Sequence, residues 1–311
     1  MKLCTLGVAF AMLAGAADLR LGIVGTDTSH VIAFTSILND PNHKDHVPGA
    51  RVVAAYKGGS PDLAPSRDRV EKYAAELESK FGVEIVPDIP RLMGKVDAVL
   101  LESVDGRVHL EQFREIARTG KPVFIDKPLA STLEDAREIA RLAQKHGVRW
   151  FSSSALRYSS LLPDLKRDGV DGALVWGPGP LEPTHRLDLS WYGIHAVEIL
   201  YTLMGPGCEE VSRTYAPDAE IVSARWKDGR VAAIRLARPY SGYGAVAFAG
   251  KEIRTSQKDL YTGYRGLVER IVEFFRTGVP PVPEQETLEM FSFMDAAQRS
   301  REAGGAPVKL R

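Results

Sequence analysis

The chain has 311 residues, 44% of them hydrophobic, with 40 Lys+Arg against 40 Asp+Glu. That length supports two domains with buried cores. A net charge of zero removes the electrostatic case for nucleic acid or an anionic membrane as a partner.

Residues 1–17, MKLCTLGVAFAMLAGAA, open with one lysine, run on as an apolar stretch and end in small residues with an A-x-A-like site at Ala14–Ala16. This is the pattern of a secretory signal peptide. The apolar stretch is too short to span a bilayer comfortably. A periplasmic or secreted protein follows, with no membrane span after cleavage; a retained N-terminal helix in a cytoplasmic protein is the alternative. Cleavage leaves Cys208 as the one cysteine and excludes an internal disulfide.

From Leu19 to about Trp150 strands and helices alternate. LRLGIVG is followed by the helical SHVIAFTSILND, then RVVAAY by the amphipathic SRDRVEKYAAELESKFG. VEIV and the apolar VDAVLLES come next. The helix RVHLEQFREIARTG, the strand PVFID and the helix TLEDAREIARLAQKHG complete the half. Alternation of this kind implies right-handed crossovers and an α/β fold, a doubly wound parallel sheet of Rossmann type over residues 18–150. Thr132 with Asp135 has the spacing of a capping box, and Gly120 and Gly147 stand where helices stop. After Phe151 the texture changes. EIVSARWKD and RVAAIRLARPY flank the turn dipeptide DG, a hairpin signal, and helices follow at 264–277 and 285–302. Residues 151–311 therefore read as an α+β domain with an antiparallel or mixed sheet.

The turn after the first strand, GTDTSH, departs from the dinucleotide fingerprint G-x-G-x-x-G. Gly25 fits, but Asp27 takes the place of the second glycine and His30 that of the third. A carboxylate beside a phosphate at about 4 Å costs on the order of 4 kcal/mol near a protein surface, enough to abolish micromolar binding. Alternatively Asp27 or Thr28 caps the next helix. Backbone N–H groups and the hydroxyls of Thr26, Thr28 and Ser29 are then left for phosphate. At the end of the second strand Lys57 and Ser60 replace the acid that would bind a ribose 2′-hydroxyl. They suit a 2′-phosphate, which leans toward NADP over NAD; a plain solvated turn is the other reading.

Lys127 directly follows a buried strand, at the strand end where ligands bind in parallel sheets. There it can hold a hydroxyl or assist proton transfer. His195 sits near the start of an apolar helix, as a general base toward an alcohol or as a hydrogen-bonded core histidine. His109 carries the same ambiguity. His43 and His46 have loose metal-like spacing without a third ligand, and a solvated loop is the better reading. No metal is expected.

The glycine turn, D-K-P at 126–128, Arg157–Tyr158 and G-I-H-x-x-E from Gly193 to Glu198 together resemble the Gfo/Idh/MocA oxidoreductases. The resemblance spans essentially all of residues 19–311. It implies a Rossmann domain followed by an open-faced, mostly antiparallel sheet domain, with the active site between them. It further implies a bound nicotinamide cofactor, NAD(P), a sugar or polyol substrate, and homo-oligomers, dimers or tetramers. Lys127 matches the lysine of the family's E-K-P, with Asp126 in place of the glutamate, and His195 the acid/base histidine. Arg157 matches an arginine near the cleft, and His109 the histidine of the crossover after the fourth strand. Many family dehydrogenases have an aspartate four residues before the histidine; here that place is Trp191, which can stack on a sugar face. Asp188, one turn earlier, is the candidate replacement. The expected activity is NAD(P)-dependent oxidation at a hydroxyl. A redox-neutral glycosidase or epimerase on a tightly held cofactor, and a non-catalytic exported sugar-binding protein on a degenerate Rossmann frame, are the alternatives.

Overall fold

The computed structural model describes residues 17–311, so all but the last residue of the signal-like segment lies outside the described residues. Six strands, β1 (Leu19–Val24), β2 (Ala50–Tyr56), β3 (Glu84–Val86), β4 (Ala98–Leu101), β5 (Val123–Ile125) and β6 (Trp150–Ser152), form one sheet in the order β3-β2-β1-β4-β5-β6. Every pairing in it is parallel. This is the doubly wound order of a dinucleotide-binding domain. Strands covered on both faces need continuous apolar runs, and every residue of β4 (AVLL) and β5 (VFI) is buried.

Six helices make the crossovers: α1 (Ser29–Asn39), α2 (Ala64–Arg67), α3 (Val70–Phe81), α4 (Ile89–Met93), α5 (His109–Ala117) and α6 (Leu133–His146). α6 begins where Thr132 accepts the Asp135 N–H at 3.0 Å and ends on Gly147, whose φ of 66° needs no side-chain tolerance in glycine. The single helix expected from Ser66 to Phe81 is split into α2 and α3 at Asp68–Arg69. On the α2 side of the break, Ser66 Oγ accepts the Ser60 N–H and its hydroxyl donates to Asp27, tying α2 to the turn after β1.

The second sheet holds β7 (Gly172–Pro178), β8 (Cys208–Tyr215), β9 (Ala219–Trp226), β10 (Val231–Ala237), β11 (Gly244–Ala249), β12 (Glu252–Thr255) and β13 (Val308–Lys309). Its order is β12-β11-β7-β10-β9-β8-β13, antiparallel except where β7 meets β10. The DG signal is the β9–β10 turn, with Gly229 at φ 91°. The remaining helices are α7 (Leu162–Leu165), α8 (Gly193–Met204), α9 (Arg265–Thr277) and α10 (Glu284–Glu302). α8 and α10 cover one face of this sheet. The other face is open and shows Leu174, Ile221, Val231 and Ile253 to solvent. α9 returns to the first sheet: Leu267, Ile271 and Phe274 share one apolar cluster with Leu21, Ile23, Phe124 and Phe151. By packing it belongs to the Rossmann layer, although it lies late in the chain. Among the described residues no helix is long and apolar enough to cross a membrane.

Candidate active site

The turn after β1 is shaped by close approach. Gly25 has φ 92°, and a Cβ there would stand 2.3 Å from Ser103 Oγ and 2.4 Å from Ser103 N, so only glycine fits. Thr28 caps α1, its Oγ1 accepting the His30 N–H at 3.4 Å. The cap is Thr28 and not Asp27. Asp27 is wholly buried, with Oδ2 accepting from the Ser66 hydroxyl at 2.5 Å and Oδ1 from the Val104 N–H at 2.9 Å. Burial pushes its carboxyl pKa up against those two hydrogen bonds. The expectation that Asp27 meets a phosphate is therefore corrected: its side chain is spent inside the protein. Thr26 is corrected likewise, since it is fully buried and its hydroxyl donates to the Val70 carbonyl at 3.0 Å.

The carboxyl ends of β1, β4, β5 and β6 face α8 and the segments before β11 and α9 across a cleft of about 460 Å³. From the Rossmann side come Thr28, Ser29, His30, Val104 and Lys127, with Pro65 and Arg69 brought over by the break between α2 and α3. From the other side come Ser154, Trp191, Tyr192 and His195, and a wall of Tyr240, Tyr243, Tyr261 and Tyr264. Lys127 and His195, far apart in sequence, thus line one cavity. The Lys127 amine makes no hydrogen bond or ion pair among the described residues, and burial lowers its pKa. His195 Nδ1 meets the Ser154 hydroxyl at 2.7 Å. Burial first, then the charge of Lys127, pushes the His195 pKa well below the ordinary imidazole value, so this ring is neutral.

Other expected residues sit elsewhere. Arg157 pairs with Glu198 and, at 2.6 Å, with Glu286, and does not line the cleft. Asp188 is held by Arg213 at 2.8 Å and Arg301 at 2.5 Å, so it cannot serve His195 as the missing carboxylate. Both assignments are corrected for one reason: each charge is buried and already matched. Trp191 is on the cleft wall. His109 is buried, with Nε2 2.7 Å from the Ser103 carbonyl, and lies outside the cleft. Lys57 pairs with Glu71 at 2.7 Å on the surface, and Ser60 is buried nearby. The rings of His43 and His46 hydrogen-bond within their own loop and to Ile37, and no cluster of metal-ligating residues occurs among the described residues.

The sequence reading missed a second imidazole. His30 Nδ1 lies 2.5 Å from Asp126 Oδ2, and the ring opens on the same cleft. His30 registers in the sequence only as a missing glycine, and Asp126 only as a variant glutamate. Adjacent motifs give no sign that the two meet. The tyrosine wall was missed as well, because its members come from two separate loops, before β11 and before α9.

Residues 20–154 match the oxidoreductase family with an NAD-binding Rossmann fold, GFO_IDH_MocA. The inositol 2-dehydrogenase of Burkholderia cenocepacia (strain HI2424) is 27% identical over 235 residues, 70% of this chain and 64% of that protein. The chain thus spans 64% of the length of that curated relative. Among solved structures, myo-inositol dehydrogenase from Lactobacillus casei, in complex with NAD(H) and myo-inositol, has a TM-score of 0.73 at 17% identity, covering 94% of this chain and 97% of that one. GenD2 from gentamicin A biosynthesis, in complex with NAD, has a TM-score of 0.76 at 16% identity, covering 98% and 100%. At such identities the structural likeness is one of fold. Residues 20–154 thus match the model of the Gfo/Idh/MocA oxidoreductase family, and the whole molecule shares the two-domain fold of these two solved structures.

Proposed function

We propose that the protein is an NAD(P)-dependent oxidoreductase acting on a hydroxyl of a sugar, polyol or related compound. The observation that carries this reading is the convergence of Lys127 and His195, from different domains, on one aromatic-walled cleft. The cofactor fits the residues present. α1 begins at the cleft wall, where Thr28 and Ser29 present its positive end, and among the described residues no carboxylate lines the cavity. Asp27, the charge that would repel a phosphate, is withdrawn into the protein. When bound, oxidised nicotinamide supplies a hydride acceptor. Lys127 holds the substrate oxygen by hydrogen bond and charge, the neutral His195 orients it, and Trp191 and the tyrosines stack on the apolar faces of a sugar ring.

The lean toward NADP rests on Lys57. Its pairing with Glu71 is exposed, and such pairs are worth about 0–1 kcal/mol, so a 2′-phosphate competes for the amine. The open face of the second sheet suits a second copy of the chain, and the signal-like segment suits export. That segment also favours a second reading, redox-neutral chemistry on a cofactor that never leaves, because free nicotinamide nucleotides are scarce outside the cytoplasm.

The test is to purify the chain from Asp18 onward and titrate it with NADH and NADPH by fluorescence. Denaturation would release any nucleotide carried through purification, and myo-inositol with oxidised cofactor would be assayed for absorbance change. Binding with turnover supports the oxidoreductase. Retained nucleotide without net reduction supports the redox-neutral reading. No binding at millimolar nucleotide overturns both.

A further inference from the structure

Two imidazoles line the cleft, and their buried partners differ. His195 turns Nδ1 to a hydroxyl, that of Ser154, whose oxygen also accepts the Leu156 N–H at 3.2 Å. His30 turns Nδ1 to a carboxylate. Asp126 is buried, with one oxygen 2.5 Å from that nitrogen and the other accepting the Lys127 N–H at 2.8 Å. The His30 ring is stacked on Phe34 at 5.4 Å and 16° and met edge-on by Tyr264 at 4.9 Å and 63°. With Nδ1 engaged and the ring walled in, Nε2 is the atom left to the cavity. We propose that His30, oriented by Asp126, is the general base of this cleft, with His195 a neutral hydrogen-bonding partner beside it.

The physical case rests on where a positive charge can form. An imidazole that takes a proton becomes a cation, and a carboxylate on its other nitrogen both fixes the tautomer and stabilises that cation. The Ser154 hydroxyl gives His195 no such counter-charge, and Lys127 opposes a second cation there. The groups facing His30 are Asp126 and Lys127 from the segment after β5, His195 from α8 and Tyr264 from the start of α9. Glu102, just after β4 and near Asp126, has no hydrogen-bond partner for either oxygen among the described residues, and burial, then Asp126 and Asp27, push its pKa well up.

The role deepens the oxidoreductase reading and rests on it for the reaction step. His30 Nε2 would take the substrate O–H proton as the carbinol becomes a carbonyl, and bound oxidised nicotinamide would supply the acceptor for the C–H hydride. The proton then leaves His30 to solvent.

The experiment has two arms. In the first, the full chain labelled with ¹⁵N-histidine is read by long-range ¹H–¹⁵N correlation, which needs no substrate. The expected result is His30 protonated at Nδ1 in the neutral ring, with that preference lost in Asp126→Asn. A bare Nδ1 in the unsubstituted chain, or no change in Asp126→Asn, overturns the proposal. In the second arm, His30→Gln and His195→Gln are compared in nucleotide reduction with myo-inositol and a panel of related polyols. His30→Gln should lower kcat at least about 100-fold with KM within about threefold, and His195→Gln should lower it less. The reverse order overturns the base assignment and leaves the oxidoreductase reading intact. Failure of the unsubstituted chain to bind nucleotide defeats that reading, and the tautomer measurement still decides the pairing.

Discussion

The hydroxyl of Ser66 lies 2.5 Å from Oδ2 of Asp27, tying α2 to the turn after β1. The same carboxylate reaches the Val104 N–H beyond β4, so it bridges both sides of the crevice over which a dinucleotide lies in this fold. An internal carboxylate there satisfies donors that would otherwise meet a phosphate. Asp27→Gly restores the fingerprint glycine and frees the Ser66 hydroxyl and the Val104 N–H for a phosphate, and is expected to tighten NADH binding at least about tenfold. Protein-fluorescence titration reads it. Weaker binding would mean that Asp27 instead orders the turn for the cofactor.

Lys127 reaches the cleft without a partner for its amine among the described residues. Lys127→Ala is expected to lower kcat by roughly 10²–10⁴ while the far-ultraviolet dichroism stays that of the parent. Full turnover in this variant would remove Lys127 from the site.

Arg157 offers the opposite expectation. It sits between the buried Glu198 and Glu286, so Arg157→Met leaves an unpaired buried carboxylate. Breaking such a pair costs about 3–5 kcal/mol, to be seen as a lower urea midpoint. A variant of parental stability with a raised KM would put Arg157 back at the cleft.

Glu102 carries a pH signature. Burial, then the neighbouring Asp126 and Asp27, raise its pKa well above the ordinary carboxylate value. The folded chain holds a proton that the unfolded chain releases, so stability falls as pH rises from the ordinary carboxylate range toward the folded pKa. Glu102→Gln removes that penalty. Its Tm should exceed the parent's by roughly 2 °C or more at pH 7 and converge with it near pH 4. A constant gap across that range would exclude titration of Glu102 as the cause.

Much of the fold was legible because it rests on local rules. The buried runs AVLL and VFI, the Thr132 cap and Gly147 each encode their element within a few residues. The break between α2 and α3 was not legible, since no proline or glycine marks it; the contact of Ser66 with Asp27, 39 positions away, accompanies it. The docking of α9 on the first sheet was hidden for the same reason, an apolar stripe being silent about which surface it covers.

By itself the sequence determined the strand and helix order, the two sheet types and the placing of Lys127 and His195 at element ends, because periodicity and caps act over a turn or two. Only the tertiary structure decided that Asp27 points inward, that Arg157 and Asp188 are matched by buried charges, and that His30 meets Asp126. A buried charge goes where a partner compensates the loss of water, and that partner can come from anywhere in the chain.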